Sequence, residues 1–201
     1  MVEPLRSFEE MYAAAGDDLA ALPWANLKPF PPLVEWLDDR GAGVDGAALV
    51  IGSGLGDDAE ELARRGFEVS AFDVSPTAIE RTRERFPDST VEYRVADLLD
   101  LPAEWRERFD LVVEIRTLQS LPIADRKAAA TAIAGTVAPG GLLWLHALGR
   151  EERSPRDTRP WPVTPQELAV LEAAGLRWES HREDLFDADL YEVAGTLRRV
   201  R

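Results

Sequence analysis

Apolar and polar positions along this chain follow two rhythms, and the switches between them fall at glycines, prolines and helix-capping residues. The run GAALVIG over 46–52 is short, apolar and closed by glycine, so it reads as a buried strand. DDAEELARRG follows, with Ala59, Leu62 and Ala63 at helical spacing and Gly66 as terminator. FEVSAFDVS over 67–75 reads as a second strand, and SPTAIERTRERF opens a helix with Ser75 as cap and Pro76 at its first position. A third strand is expected in TVEYRVADL, a fourth in FDLVVEI (109–115), a helix in IADRKAAATAIAGTVA, and a fifth strand in GGLLWLHAL (140–148). Strands alternating with helices predict a parallel sheet covered by helices. The rhythm then changes. VTPQELAVLEAAGL carries Thr164 as cap, Pro165 in the first turn and Glu167 to complete a capping box. LRWESHRED and DLYEVAGTLRRV, joined by FDAD, read as a closing hairpin at the sheet edge. Residues 5–41, ahead of the sheet, supply one or two helices around SFEEMYAAAG and LPWANLKPFPPLVEWL.

Composition narrows the function classes. With 201 residues, 45% of them hydrophobic, and no repeat or composition break, the chain fits one globular domain. Its 23 basic and 37 acidic residues give a net charge of −14, a field that opposes phosphate backbones and anionic lipid, so neither nucleic acid nor a membrane is the expected partner. The basic LRRVR tail reads as a solvated chain end. With no cysteine there is no disulfide, thiolate nucleophile or cysteine metal site, and no metal is expected. No apolar run approaches the roughly 20 residues of a membrane span, and MVEPLRSFEE has no signal-peptide core, which makes the cytoplasm the expected location. Oligomeric state is left open.

The candidate chemistry begins at Gly52, Gly54 and Gly56, which end the first strand, where open α/β sheets bind ligands and glycine lets a ligand approach the main chain. A plain structural turn is the alternative. Asp57 stands where a dinucleotide fingerprint would place its third glycine, and with Asp58 it would repel a pyrophosphate at the helix N-terminus. A cofactor without phosphates fits better, and a nicotinamide-dependent reductase is disfavoured further by the lack of a Tyr-x-x-x-Lys pair. Asp73 ends the second strand, about 20 residues past the first glycine, where a carboxylate can accept from both ribose hydroxyls. Its alternative is to cap the helix near Pro76. Asp97 ends the third strand, as a binding acid or a strand terminator. Glu114 ends the fourth strand, where it must face a cleft or be buried at a cost unless paired.

GSGLG, FDVS, ADLLDLP, FDLVVE and VAPGG, in this order and spacing, resemble the class I S-adenosylmethionine-dependent methyltransferase family across residues 46–148. The resemblance implies a Rossmann-like, doubly wound seven-stranded sheet, mostly parallel with an antiparallel C-terminal strand. It implies an N-terminal helical lid over 1–44, a cofactor core over 45–148, and a loop, helix and closing hairpin over 149–201. S-adenosyl-L-methionine would be the cofactor, with Gly52, Ser53, Gly54 and Gly56 along its homocysteine portion, Asp73 and Val74 at the ribose, and Asp97 and Leu98 at the adenine. Glu114 and Ile115 would flank the transferable methyl. Val50 departs from the family, which usually has an acid two positions before the first glycine. Trp24 in LPWANLKPF resembles the tryptophan that small thiopurine- and tellurite-type methyltransferases place over the cofactor; ordinary packing is its alternative. Arg116, Gln119, His146 and Arg150 are the candidate substrate-facing residues, with the arginine-rich GREERSPRDTRPWP loop (149–162) leaning toward an acidic small molecule. The expected activity is methyl transfer to O, N or S of such an acceptor, against the alternative of a non-catalytic cofactor-binding or scaffolding protein.

Overall fold

The computed structural model describes residues 4–16, 18–40, 46–151, 161–187 and 189–200. Helices α1 (Pro4–Ala15) and α2 (Pro31–Arg40) precede β1 (Ala47–Ile51), α3 (Asp57–Arg64), β2 (Glu68–Asp73), α4 (Pro76–Arg85) and β3 (Glu92–Val95). Then come β4 (Phe109–Ile115), α5 (Arg126–Thr136), β5 (Val137–Arg150), α6 (Pro165–Ala173), β6 (Leu176–Asp187) and β7 (Leu190–Arg199). The seven strands form one sheet in the order β3-β2-β1-β4-β5-β7-β6, the doubly wound, Rossmann-like architecture expected from the sequence. The chain divides into two compact units at Asp97 and Leu98.

In the first unit β1 pairs with β2 and β2 with β3, all parallel. The apolar run of β1 is buried from Ala48 to Ile51, as are Ala59 and Leu62 of α3 and Ala78 and Ile79 of α4. Ser75 caps α4 as expected, its Oγ accepting from the Ala78 amide at 3.0 Å, with Pro76 in the first turn. β3 is shorter than its sequence pattern. It ends at Val95, level with Asp73, because the strand beside it ends there, so Asp97 lies in the coil beyond the sheet.

In the second unit β4 and β5 are parallel, β5 and β7 antiparallel, and β7 and β6 antiparallel, so the closing hairpin enters with its second strand innermost. The capping box at Thr164 is present as read, with Pro165 beside it. Three expectations are corrected. α5 starts at Arg126, with residues 123–125 in a turn, and β5 runs through 137–150, longer than its apolar core. The basic tail is not a solvated end: Arg198 pairs with Glu179 across the hairpin, and Arg199 binds Glu107 at 2.8 Å and the Ala134 carbonyl at 2.7 Å.

Arg126 is the least expected member of this unit's interior. It is 1% exposed and donates to the carbonyls of Gln119, Leu121, Trp161 and Pro162 and to Glu167 at 2.9 Å. One guanidinium therefore gathers the turn after β4, the segment before α6, and the capping-box acid of α6. Removing one partner of a buried pair strands the other, so Arg126→Ala should cost about 3–5 kcal/mol in urea unfolding. A loss below about 1 kcal/mol would show that the cluster is not a cross-link.

Candidate active-site residues

In the first unit the glycine turn is shaped by Asp73. Gly52, Gly54 and Gly56 have φ of 60°, 53° and 88°, left-handed values that favour glycine. The amides of Gly54 and Ser75 donate to the two oxygens of Asp73, each at 2.9 Å. Asp73 therefore does not cap α4, which Ser75 does; it braces the turn. Burial pushes its carboxyl up, and the amides of Ser75, Gly54 and Val74 pull it back. The turn is tight. A Cβ on Gly56 would lie 2.5 Å from Cγ2 of Thr82. Ser53 keeps a buried Oγ without a hydrogen-bond partner among the described residues.

Asp57 and Asp58 are engaged elsewhere. Asp57 forms a two-pronged pair with Arg85, and Asp58 accepts from the Phe30 amide at 2.7 Å while burial pushes its carboxyl up to about 6. Val50, at the position where the family usually carries an acid, is a buried core residue.

Tyr12 is the residue that the sequence did not mark. Its Oη lies 3.1 Å from where a Cβ on Gly54 would stand, and it accepts from Nε1 of Trp24 at 2.9 Å. Burial, with the Asp73 charge adding to it, pushes the phenol up, so the O–H stays protonated and available to donate. Trp24 itself is 38% exposed and meets the rings of Phe8 and Tyr12 edge-on at 5.4 and 5.6 Å. Glu9, one turn before Tyr12 on α1, accepts from the Ser75 hydroxyl at 2.5 Å and the Thr77 hydroxyl at 2.6 Å. Burial works against that carboxylate, but those hydrogen bonds prevail and hold its pKa below the ordinary value. The helix carrying Tyr12 is thereby fastened to the cap of α4. Beyond β3, Asp97 is half-buried and Leu98 buried.

In the second unit the candidates gather where β4 ends. Glu114 is fully buried; its Oε1 accepts from the Leu118 amide at 2.8 Å and its Oε2 has no hydrogen-bond partner among the described residues. Burial pushes its carboxyl up to about 7 against the pull of the Leu118 and Thr117 amides. Ile115 next to it is half-buried. Arg116 has φ of 59°, outside the usual range for a non-glycine residue, and its amide donates to the His146 carbonyl at 2.8 Å. That turn carries the guanidinium to Glu192 of β7 at 2.9 Å. His146 lies 3.8 Å from the same carboxylate, buried, and burial together with the Arg116 charge pulls its imidazole down to about 4, leaving it neutral. Gln119 is buried and braces β5, its Oε1 accepting from the Leu148 amide at 2.6 Å. Arg150 is 7% exposed, with its amide bonded to the Val163 carbonyl. Glu192 was invisible in the sequence, since nothing near it in the chain announces a partner 76 residues away. Of the arginine-rich loop, residues 152–160 lie outside the described residues.

Among the described residues, no helix is long and apolar enough to cross a membrane, and no group of His, Cys, Asp and Glu could hold a metal ion.

The strand order and the glycine turn closed by a strand-end acid define a methyltransferase domain, and residues 48–141 match the family described as "Methyltransferase domain". The ubiquinone biosynthesis O-methyltransferase of Xanthomonas axonopodis pv. citri is 34% identical over 169 residues, covering 74% of this chain and 70% of that protein. Among solved structures, the N-methyltransferase NodS of Bradyrhizobium japonicum in complex with S-adenosyl-l-homocysteine is 23% identical with a TM-score of 0.73, covering 99% of this chain and 100% of that one. A TehB-like SAM-dependent methyltransferase from Corynebacterium glutamicum is 21% identical with a TM-score of 0.69, covering 96% and 99%. The chain belongs to the class I S-adenosylmethionine-dependent methyltransferase family, and S-adenosylmethionine is its methyl donor.

Glu114 makes stability depend on pH. Its folded value near 7 exceeds the ordinary 4.5, so between those limits the folded protein keeps a proton that the unfolded chain has released. That contribution is favourable at low pH and is lost as pH rises, at up to roughly 1.4 kcal/mol per pH unit. Glu114→Gln should remove this slope in urea unfolding between pH 5 and 8 and leave the variant the more stable protein at pH 8. Parallel pH profiles for the two proteins would contradict the assignment.

Proposed function

We propose that the protein methylates a heteroatom of a small molecule that carries an anionic group, and that Arg116 receives that group. The observation that carries this reading is the guanidinium of Arg116, 41% exposed, turned from the end of β4 by a left-handed backbone onto Glu192. A resting carboxylate there marks a position shaped for an acceptor's own acid. His146 stays neutral beneath the pair, and Gln119 and Arg150 fix the neighbouring main chain. The O-methyltransferase and N-methyltransferase relatives support oxygen or nitrogen as the acceptor atom. A soft acceptor atom such as sulfur would need no base.

On the donor side, Gly52, Ser53, Gly54 and Gly56 line the homocysteine portion, Asp73 and Val74 hold the ribose, Asp97 and Leu98 meet the adenine, and Glu114 and Ile115 stand near the methyl. The residues fit such a group: a left-handed turn with no Cβ at Gly54, and unpartnered polar atoms at Ser53 and Glu114. S-adenosylmethionine supplies an electrophilic methyl, taken by the acceptor's lone pair in one in-line displacement. The chain's contribution is positioning, which reaches effective molarities on the order of 10⁵ M or more. Tyr12, with its Oη at the Gly54 turn, would offer its O–H to the donor's carboxylate, and Trp24 would act through Tyr12, its N–H fixing the phenol oxygen. Residues 1–44 serve as the lid, 45–148 as the cofactor-binding core, and 149–201 as the loop, helix and closing hairpin that complete the domain.

Two measurements test this. In a mass-shift screen with S-adenosylmethionine, hydroxy- and amino-aryl carboxylic acids should be methylated in preference to their methyl esters, and Arg116→Gln should raise KM for the acids by about 10- to 100-fold, the worth of a charged hydrogen bond. Equal turnover of acids and esters would refute the anionic acceptor. Tyr12→Phe should weaken binding of S-adenosylhomocysteine by about 1 kcal/mol in calorimetry without changing the unfolding midpoint by more than a few degrees. A variant that binds unchanged would return Tyr12 to packing.

A further inference from the structure

The buried carboxylate of Glu114 has a job beyond holding the turn after β4. One oxygen already serves that turn through Leu118, and the second has no hydrogen-bond partner among the described residues. A wholly buried carboxylate with an unanswered oxygen is costly to keep charged, and the neutral acid is its resting form until a positive charge arrives.

Among the described residues, none supplies such a charge. Burial acts on Glu114 first, and against it the amides of Leu118 and Thr117. Arg116, two residues on, His146 of β5 and Glu192 of β7 interact among themselves. The methyl donor carries what is missing, because its sulfonium is a fixed cation that the demethylated product lacks. A charge need not touch the carboxylate to be felt, since burial excludes the water that would screen it.

We propose that Glu114 is the counter-charge for the donor's sulfonium: its proton leaves to solvent as S-adenosylmethionine binds and returns when S-adenosylhomocysteine remains. This rests on the reading that places Glu114 near the transferable methyl. The bookkeeping is one proton from the Glu114 carboxyl to buffer on donor binding and one taken back after methyl transfer, with no redox change. Its consequence is selectivity: an ionised Glu114 favours the donor, so the donor is held more tightly than the contacts it shares with the product would dictate.

Calorimetric titration of the whole protein at pH 6.5, with S-adenosylmethionine and with S-adenosylhomocysteine, each in phosphate and in Tris, tests this directly. The slope of binding enthalpy against buffer ionisation enthalpy gives the protons released. The expected result is about half a proton or more for the donor in excess of the product, the ammonium and carboxylate common to both ligands cancelling in the difference. The ratio of donor to product affinity should rise several-fold from pH 6 to pH 8. Glu114→Gln should abolish both effects and weaken the donor about tenfold relative to the product. Equal proton release for the two ligands in the wild-type protein overturns the proposal, whether or not the variant folds, as does a folded variant that still releases the excess proton. If neither ligand binds, the donor-site reading itself fails, an outcome separate from equal release.

Discussion

Two main-chain amides converge on the carboxylate of Asp73, and the first unit takes its local shape from that meeting. A strand that ends in a buried acid must find donors for both oxygens, and the chain provides them from the glycine turn and from the residue that caps α4. The turn can present the Gly54 amide only with left-handed backbone, which is why glycine stands there. Ser75, held in place by the same carboxylate, caps α4 and donates its hydroxyl to Glu9, which brings α1 and Tyr12 to the turn. A single acid thus organises three segments that are far apart in the chain.

The second unit solves a different problem. Its irregular segments, the turn after β4 and the stretch before α6, would leave carbonyls without partners if they were buried unaided. Arg126 answers four of those carbonyls and an acid at once, and the side chain of Gln119 answers the amide of Leu148. Polar side chains here do the work that backbone ladders do in the sheet. The resulting rigidity is what can hold Arg116 in a backbone conformation it would not choose alone.

The sheet and its helices were legible because their signals are local. Alternation, apolar runs, the Ser75 cap and the Thr164 capping box are readable over a few residues, and each stands where it was expected. What could not be read were the partners. Arg126 looks like a surface charge on a helix, and only Glu167, 41 residues later, with the carbonyls around it, makes it a core residue. The tail arginines Arg198 and Arg199 stand side by side near the chain end and read as solvated charge, yet their guanidinium groups close on Glu179 and Glu107. Tyr12 carries no motif, and its place at the turn depends on Glu9 bonding a helix cap 66 residues away. The glycines, Asp73 and Glu114 were identified as candidates from their positions at strand ends. That Asp73 braces the turn rather than capping a helix, and that Glu114 leaves one oxygen unanswered, are facts of three-dimensional geometry.

The order β5-β7-β6 places the later strand of the hairpin between two earlier ones. β6 therefore has no ladder of its own to β5 and reaches the sheet only through β7. During synthesis the whole of β6 must leave the ribosome and wait, its sheet edge unsatisfied, until the residues of β7 follow. The two strands then zip locally, and their docking onto β5 joins both to the sheet in one step. Assembly of this edge is thus ordered by topology: β6 has nowhere to bind until β7 is present, so the strand made first is the one that joins the sheet last or together with its partner.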